Sequence, residues 1–202
     1  MSEKCPSPER EATPLTEYQL NARIAGMGKL PNFTGEPEEW PLFYAMYRSS
    51  TASCGFSDVE NALRLRQHLK GKAFGAVRNL LIYPSTVGKA IESLKTRFGR
   101  PELLCLSMLK KMGQLKAPQS DKWSTVMYFG YAVKDMCLTI KETGRPEYLN
   151  SYTLLWELVA KLPTHFQLEW AQHERRFETA SLAEFGQWME EVAKDIARME
   201  RS

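Results

Sequence analysis

The sequence predicts an all-α protein of two helical lobes, and three observations carry that prediction. Apolar residues recur at intervals of three and four along most of the chain. No run alternates with period two between hairpin turns, so no strand is required. One stretch, KMGQLKAPQSDK (111–122), interrupts the periodicity with Gly113 and Pro118 and separates two segments, each long enough to bury a core.

Residues 1–15 are polar, carry Pro6, Pro8 and Pro14, and read as a disordered tail. Thr16 is placed to N-cap a short leading helix within 16–29, with Tyr18, Leu20, Ile24 and Met27 as its apolar residues and Gly26 or Gly28 closing it. Next comes LPNFTGEPEEWPLFYAMY (30–47). Pro31 biases Leu30 toward extended backbone, Thr34-Gly35-Glu36-Pro37 is turn chemistry, and Pro41 fits a helix only in its first turn. An arm, a turn and a helix to about Ser50 follow, with Leu30, Phe33, Trp40, Phe43 and Tyr44 as arm and core of the first lobe.

Gly55 breaks that helix, and Ser57 with Glu60 three residues later forms a capping box for the next. That helix ends at Gly71. A further apolar-periodic stretch runs through Ala73, Val77 and Leu80, a helix spans 86–98, and Pro101 opens one whose apolar surface includes Leu103, Leu104, Leu106, Met108, Leu109 and Met112. The first lobe is therefore 30–112, the linker 113–119 and the second lobe 120–202. Ser120 caps a helix to about 142, helices follow at 151–162 and from Pro163, and Ser181 caps the last. In that helix Leu182, Phe185, Met189, Val192, Ile196 and Met199 form one seam, with Trp188 just off it.

The composition is that of an ordinary globular protein: 43% hydrophobic, 25% charged, net charge +3. No run approaches the roughly 20 apolar residues of a membrane span, and no secretory signal opens the sequence. These features predict a cytoplasmic protein without membrane partners. Cys5, Cys54, Cys105 and Cys137 form no C-x-x-C pair and read as reduced thiols, the last three as small core residues and Cys5 as an exposed one. His68, His165 and His173 have no cysteine pair nearby, so the thiolate and imidazole set of a zinc knuckle is missing. No catalytic nucleophile–base constellation, metal site or cofactor motif emerges, and the chain is expected to be non-enzymatic.

The ordered set LPNFTGEPEEWPLF, STASCGFSDVEN, RLRQHLKGKAFGAVRNLL, IESLKTRFGRPELL and ELVAKLPTHFQLEW resembles the Gag capsid region of Bel/Pao-type LTR retrotransposons. More distantly, the layout is similar to Ty3-type and domesticated neuronal Gag capsid proteins. The resemblance implies a two-lobed helical retroviral/retrotransposon capsid-like fold, self-assembly of many copies into a shell, and enclosure of RNA rather than catalysis. The alternative within the same fold is a domesticated adaptor, monomeric or dimeric, that binds peptides or partner proteins.

Two surfaces follow as candidates. Between Asn61 and Lys111 there are 11 Lys/Arg against two acids. Arg64, Lys70, Lys72, Arg78, Lys89, Lys95, Arg97, Arg100, Lys110 and Lys111 are candidate contacts for RNA or another polyanion, which they would bind without sequence preference. The plainer reading is that they are solvated helix faces. Trp188 is the candidate assembly contact between copies, against burial of the last helix within its own lobe.

Overall fold

The computed structural model describes residues 14–199, so most of the tail predicted at 1–15, Cys5 included, lies outside the described residues. The protein is all-α. Helices α1 (Glu17–Ile24), α2 (Trp40–Cys54), α3 (Asp58–His68), α4 (Gly71–Val77) and α5 (Val87–Phe98) come first, with a 3-10 turn at Pro84–Thr86 before α5. Then follow α6 (Pro101–Gly113), α7 (Trp123–Glu142), a second 3-10 turn at Pro146–Asn150, α8 (Tyr152–Lys161), α9 (Thr164–Glu174) and α10 (Leu182–Met199). The chain divides into two compact units, 1–95 and 96–202.

The first unit is built on the extended arm. Phe33 pairs with Leu69 in an isolated parallel β-bridge: Phe33 N–H donates to the His68 carbonyl at 2.9 Å, and Lys70 N–H to the Phe33 carbonyl at 2.8 Å. The turn after it is tied by Glu39, whose Oε2 accepts from Thr34 N–H at 2.7 Å and from Thr34 Oγ1 at 2.9 Å. Glu39 therefore stands at the N-cap of α2 without capping it. With the arm fixed, Phe33 stacks on Phe43 at 5.0 Å and lies 5.5 Å from Trp40, and Leu30, Phe33, Trp40 and Phe43 are buried as expected.

The leading helix differs from its sequence reading. Thr16 and Gln19 form a capping box, but Tyr18, Leu20, Ile24 and Met27 are exposed and only Ala22 is buried. What holds α1 is polar. Arg23 donates to both Glu60 carboxylate oxygens (2.7 and 3.2 Å) and to the Cys54 and Gly55 carbonyls (2.7 and 3.1 Å). Gly55, at φ 61°, supplies the left-handed turn that presents those carbonyls.

The second unit packs around α7 and α10. Their close approach depends on two glycines: a Cβ on Gly130 would sit 2.7 Å from the Met189 carbonyl oxygen, and one on Gly186 would meet Cys137 Sγ at 3.3 Å. One contiguous core joins Val126, Phe129, Val133, Cys137 and Ile140 of α7 to Leu182, Phe185, Met189 and Ile196 of α10. Leu104, Cys105, Met108 and Met112 of α6 belong to this same core. The division between units therefore falls near residue 95 and not in 113–119, which is firmly held: Lys161 Nζ donates to the Gly113 and Leu115 carbonyls (2.5 and 2.9 Å), and Pro118 is buried. Ser120 does not cap α7. Thr125 Oγ1 instead accepts from Gln119 N–H at 2.9 Å, which fixes the preceding turn and starts the helix at Trp123.

Candidate functional site

Of the ten basic candidates, the structure removes one. Arg64 is 9% exposed, and its guanidinium donates to the Gly28 carbonyl (3.2 and 2.9 Å), Asn61 Oδ1 (2.7 Å), Ser50 Oγ (2.5 Å) and Thr51 Oγ1 (3.3 Å). It also lies 4.1 Å from the Phe56 ring centroid, and Arg23 lies 4.8 Å from it. Every direction a phosphate would need is taken. Arg64 joins α2, α3 and the turn after α1, so it is a structural cation. The other nine are exposed, Lys70, Lys72, Arg78, Lys89 and Lys95 in the first unit and Arg97, Arg100, Lys110 and Lys111 in the second. Lys70 donates to the Gln67 carbonyl at 2.6 Å, and Lys72 pairs with Glu36 at 3.0 Å.

Beside this network, His68 carries the one buried side-chain polar atom among the described residues that finds no hydrogen-bond partner, its Nδ1. Burial first, then Lys70 and Arg64, hold its imidazole below the ordinary pKa. Its carbonyl is the acceptor for Phe33, so it stands where the arm is clamped.

Trp188, the candidate assembly contact, does not lie at the surface. It is 6% exposed and packs against Trp170 (5.3 Å) and Phe185 (5.9 Å), because the buried face of α10 is wider than the predicted seam and takes in Gly186, Trp188 and Ala193. At the seam's far end Met199 is exposed. The exposed aromatics of the second unit lie elsewhere: Trp123, Tyr128 and Tyr131 on α7, Phe177 after α9, and a pair on α8. On α8, Leu154, Leu155 and Leu158 face the core, while Tyr152 and Trp156, one turn apart and 6.2 Å between centroids, face solvent. Trp156 is 59% exposed. Beside it lies a cavity of about 250 Å³ between α8 and α9, bounded by Trp156, Val159, Leu168, Trp170 and Glu174 among others. The sequence signal was available: Tyr152 and Trp156 are four apart and out of phase with the leucines.

The family described as "Protein of unknown function (DUF1759)" matches residues 33–179. The chain belongs to this family. DUF1759 is typically found in retrotransposon Gag- and Pol-related proteins. The DUF1759 match begins at Phe33, where the arm is clamped, and runs past α9, so it includes both the aromatic cluster and the α8–α9 face. No curated protein and no solved structure matches the chain.

Burial pushes the Cys137 thiol up to about 12, and its Sγ donates to the Leu182 carbonyl at 3.2 Å, so no thiolate forms near neutral pH. Among the described residues no group of three or more His, Cys, Asp or Glu is arranged to hold a metal ion, and no helix is long and apolar enough to cross a membrane. His165 is exposed beside Trp123 and Phe166, and His173 stacks on Trp170 at 5.7 Å.

Proposed function

We propose that this chain is a Gag-like structural protein that associates with copies of itself, and that the outer face of α8 is one of its contact surfaces. The observation that carries this reading is the pair Tyr152 and Trp156, held on a helix whose opposite face is locked into the core. A solvent-facing tryptophan on a rigid element has the composition of an interface centre, where aromatic residues dominate the energy and water exclusion makes them count. Each such contact is weak alone, and closed assemblies gain strength from many acting together. DUF1759 membership supports the Gag-like part of the reading.

The experiment is sedimentation velocity across a concentration series with the full chain and a Trp156→Ala variant. The wild type is expected to shift toward dimers or larger species as concentration rises. The variant loses that shift with an unchanged thermal midpoint, since Trp156 contributes little to its own core. A wild type that stays monomeric at the highest concentration removes self-association, and a variant that associates as well as wild type removes the α8 face.

The adaptor reading has its own support in the apolar cavity beside Trp156, which has room for one large side chain of a partner peptide. It predicts peptide capture by a monomer.

A further inference from the structure

We infer that the outer face of α2 is a stacking site for single-stranded nucleic acid, in which Tyr44 carries a base and Arg48 and Lys95 meet the adjoining phosphates. Trp40 and Tyr44, one helical turn apart, stack with ring centroids at 5.1 Å and planes 12° apart. Trp40 is itself locked in place by Phe33 and Phe43, at 5.5 and 6.2 Å. Tyr44 is therefore a platform whose orientation is set before any ligand arrives, with one face on the core and its rim half-exposed.

Two cations attend that ring. Arg48 Cζ lies 5.8 Å from the Tyr44 centroid and Lys95 Nζ 5.9 Å, both near the outer limit of a cation–π contact and both on exposed side chains. A stacked base is a stronger partner for an aromatic face than a solvated cation at that distance. A base would displace the cations from the ring and leave them beside it, where a phosphate on either side can be met.

The surrounding helix face suits a strand. It is an open surface of α2 that runs past Pro41, Ala45, Ser49 and Ala52, and no acidic side chain lies on it. Small side chains let a sugar–phosphate backbone lie close to the helix. An acidic peptide would use the two cations and leave the ring idle, so the aromatic platform favours nucleic acid. Lys95 was a basic candidate and Tyr44 a core one, but Arg48 precedes the basic stretch, and α2 and α5 come together only in the fold. This site does not depend on the α8 contact: each stands or falls alone.

Fluorescence anisotropy with the full chain decides it. The probes are a labelled oligouridylate of roughly twelve nucleotides, an abasic strand of equal length and charge, and an oligoglutamate peptide. The abasic strand is expected to bind about tenfold more weakly than the oligouridylate, and the peptide no better than the abasic strand. Arg48→Gln and Lys95→Gln should each flatten the slope of log K against log salt by about 0.7, as for one lost single-strand phosphate contact. Tyr44→Leu should weaken binding about tenfold with the slope unchanged. Equal affinity for the abasic strand or the peptide overturns the proposal, as does a folded Tyr44→Leu variant that binds like wild type. If that variant melts early by circular dichroism, the abasic comparison and the two salt slopes still decide the question.

Discussion

Arg64 keeps its charge while giving up nearly all contact with water, and it can do so because five oxygen contacts, all to neutral groups, replace that water. Taking the guanidinium away would strand the Gly28 carbonyl and leave Ser50 Oγ without its donor, while Asn61 Oδ1 would keep only Thr51 Oγ1 at 3.1 Å. Arg64→Met is expected to destabilise the first unit by about 3 kcal/mol, read from urea unfolding. Arg64→Lys should recover little of it, because one ammonium cannot reproduce the planar fork. A count of charges along a sequence cannot see this, since burial depends on Gly28, Ser50 and Thr51, which lie far from residue 64 in the chain. The surface placement of Trp188 fails for a related reason: its phase on α10 is legible in the sequence, but the width of the buried face, which Trp170 and His173 of α9 help to cover, is not.

The same cluster sets a pH dependence at the residue scale. His68 has a folded pKa below its ordinary 6.5, so the unfolded chain takes up its proton more readily. Its contribution is fully present above 6.5 and is lost as the pH falls through the folded value. Glu60 acts lower: partial burial raises its carboxyl, hydrogen bonds from Arg23 and Ser57 outweigh that, and the net shift is downward from 4.5. Its stabilisation is present above 4.5 and fades as it protonates. Thermal midpoints should therefore fall in two stages on acidification, and His68→Gln should flatten the first. An identical profile in wild type and variant would refute the assignment.

Among elements, the helices themselves were the most legible feature, because their caps are local chemistry. Ser57 and Glu60 pair as their spacing predicts, and Ser181 caps α10 as predicted, with Glu184 accepting from the Ser181 N–H in addition. What spacing could not give is the distance between two helices. Gly130 in the middle of α7 lowers local helix propensity, yet it is where Met189 of α10 comes closest. Gly130→Ala is expected to cost about 1–3 kcal/mol, since the clash is with backbone and not with a side chain free to turn. Gly75 in α4 is the control. An added Cβ there meets nothing within 4 Å, so Gly75→Ala should stabilise by about 0.5–1 kcal/mol through helix propensity. Equilibrium unfolding of both variants tests the contrast, and similar behaviour would mean that α7 and α10 are not held at the distance described.

At the scale of the molecule, the predicted boundary was displaced by one helix. Gly113 and Pro118 are turn residues, and turn chemistry marks where a helix stops, not where a core stops. Of the apolar surface that the spacing predicts on α6, Leu104, Met108 and Met112 are buried while Leu106 is exposed, and spacing does not name the partner of a buried face. The structure gives Leu104, Cys105, Met108 and Met112 to the core that α7, α8 and α10 complete. This allows a decisive cut. A fragment of 96–202 keeps that core whole and should unfold cooperatively. A fragment of 114–202 loses four buried side chains, the three large ones worth about 1.5–3 kcal/mol each. That sum is comparable to the whole stability of a small domain, about 5–15 kcal/mol, so the shorter fragment should lack a cooperative transition. It also removes the Gly113 carbonyl that Lys161 of α8 holds, so the helix carrying Trp156 loses an anchor. If the α8 face drives association, 96–202 should reproduce the sedimentation shift of the full chain while 114–202 cannot, since a contact patch is only as defined as the core behind it. Cooperative unfolding of 114–202 with native-like helicity would return the boundary to 113–119.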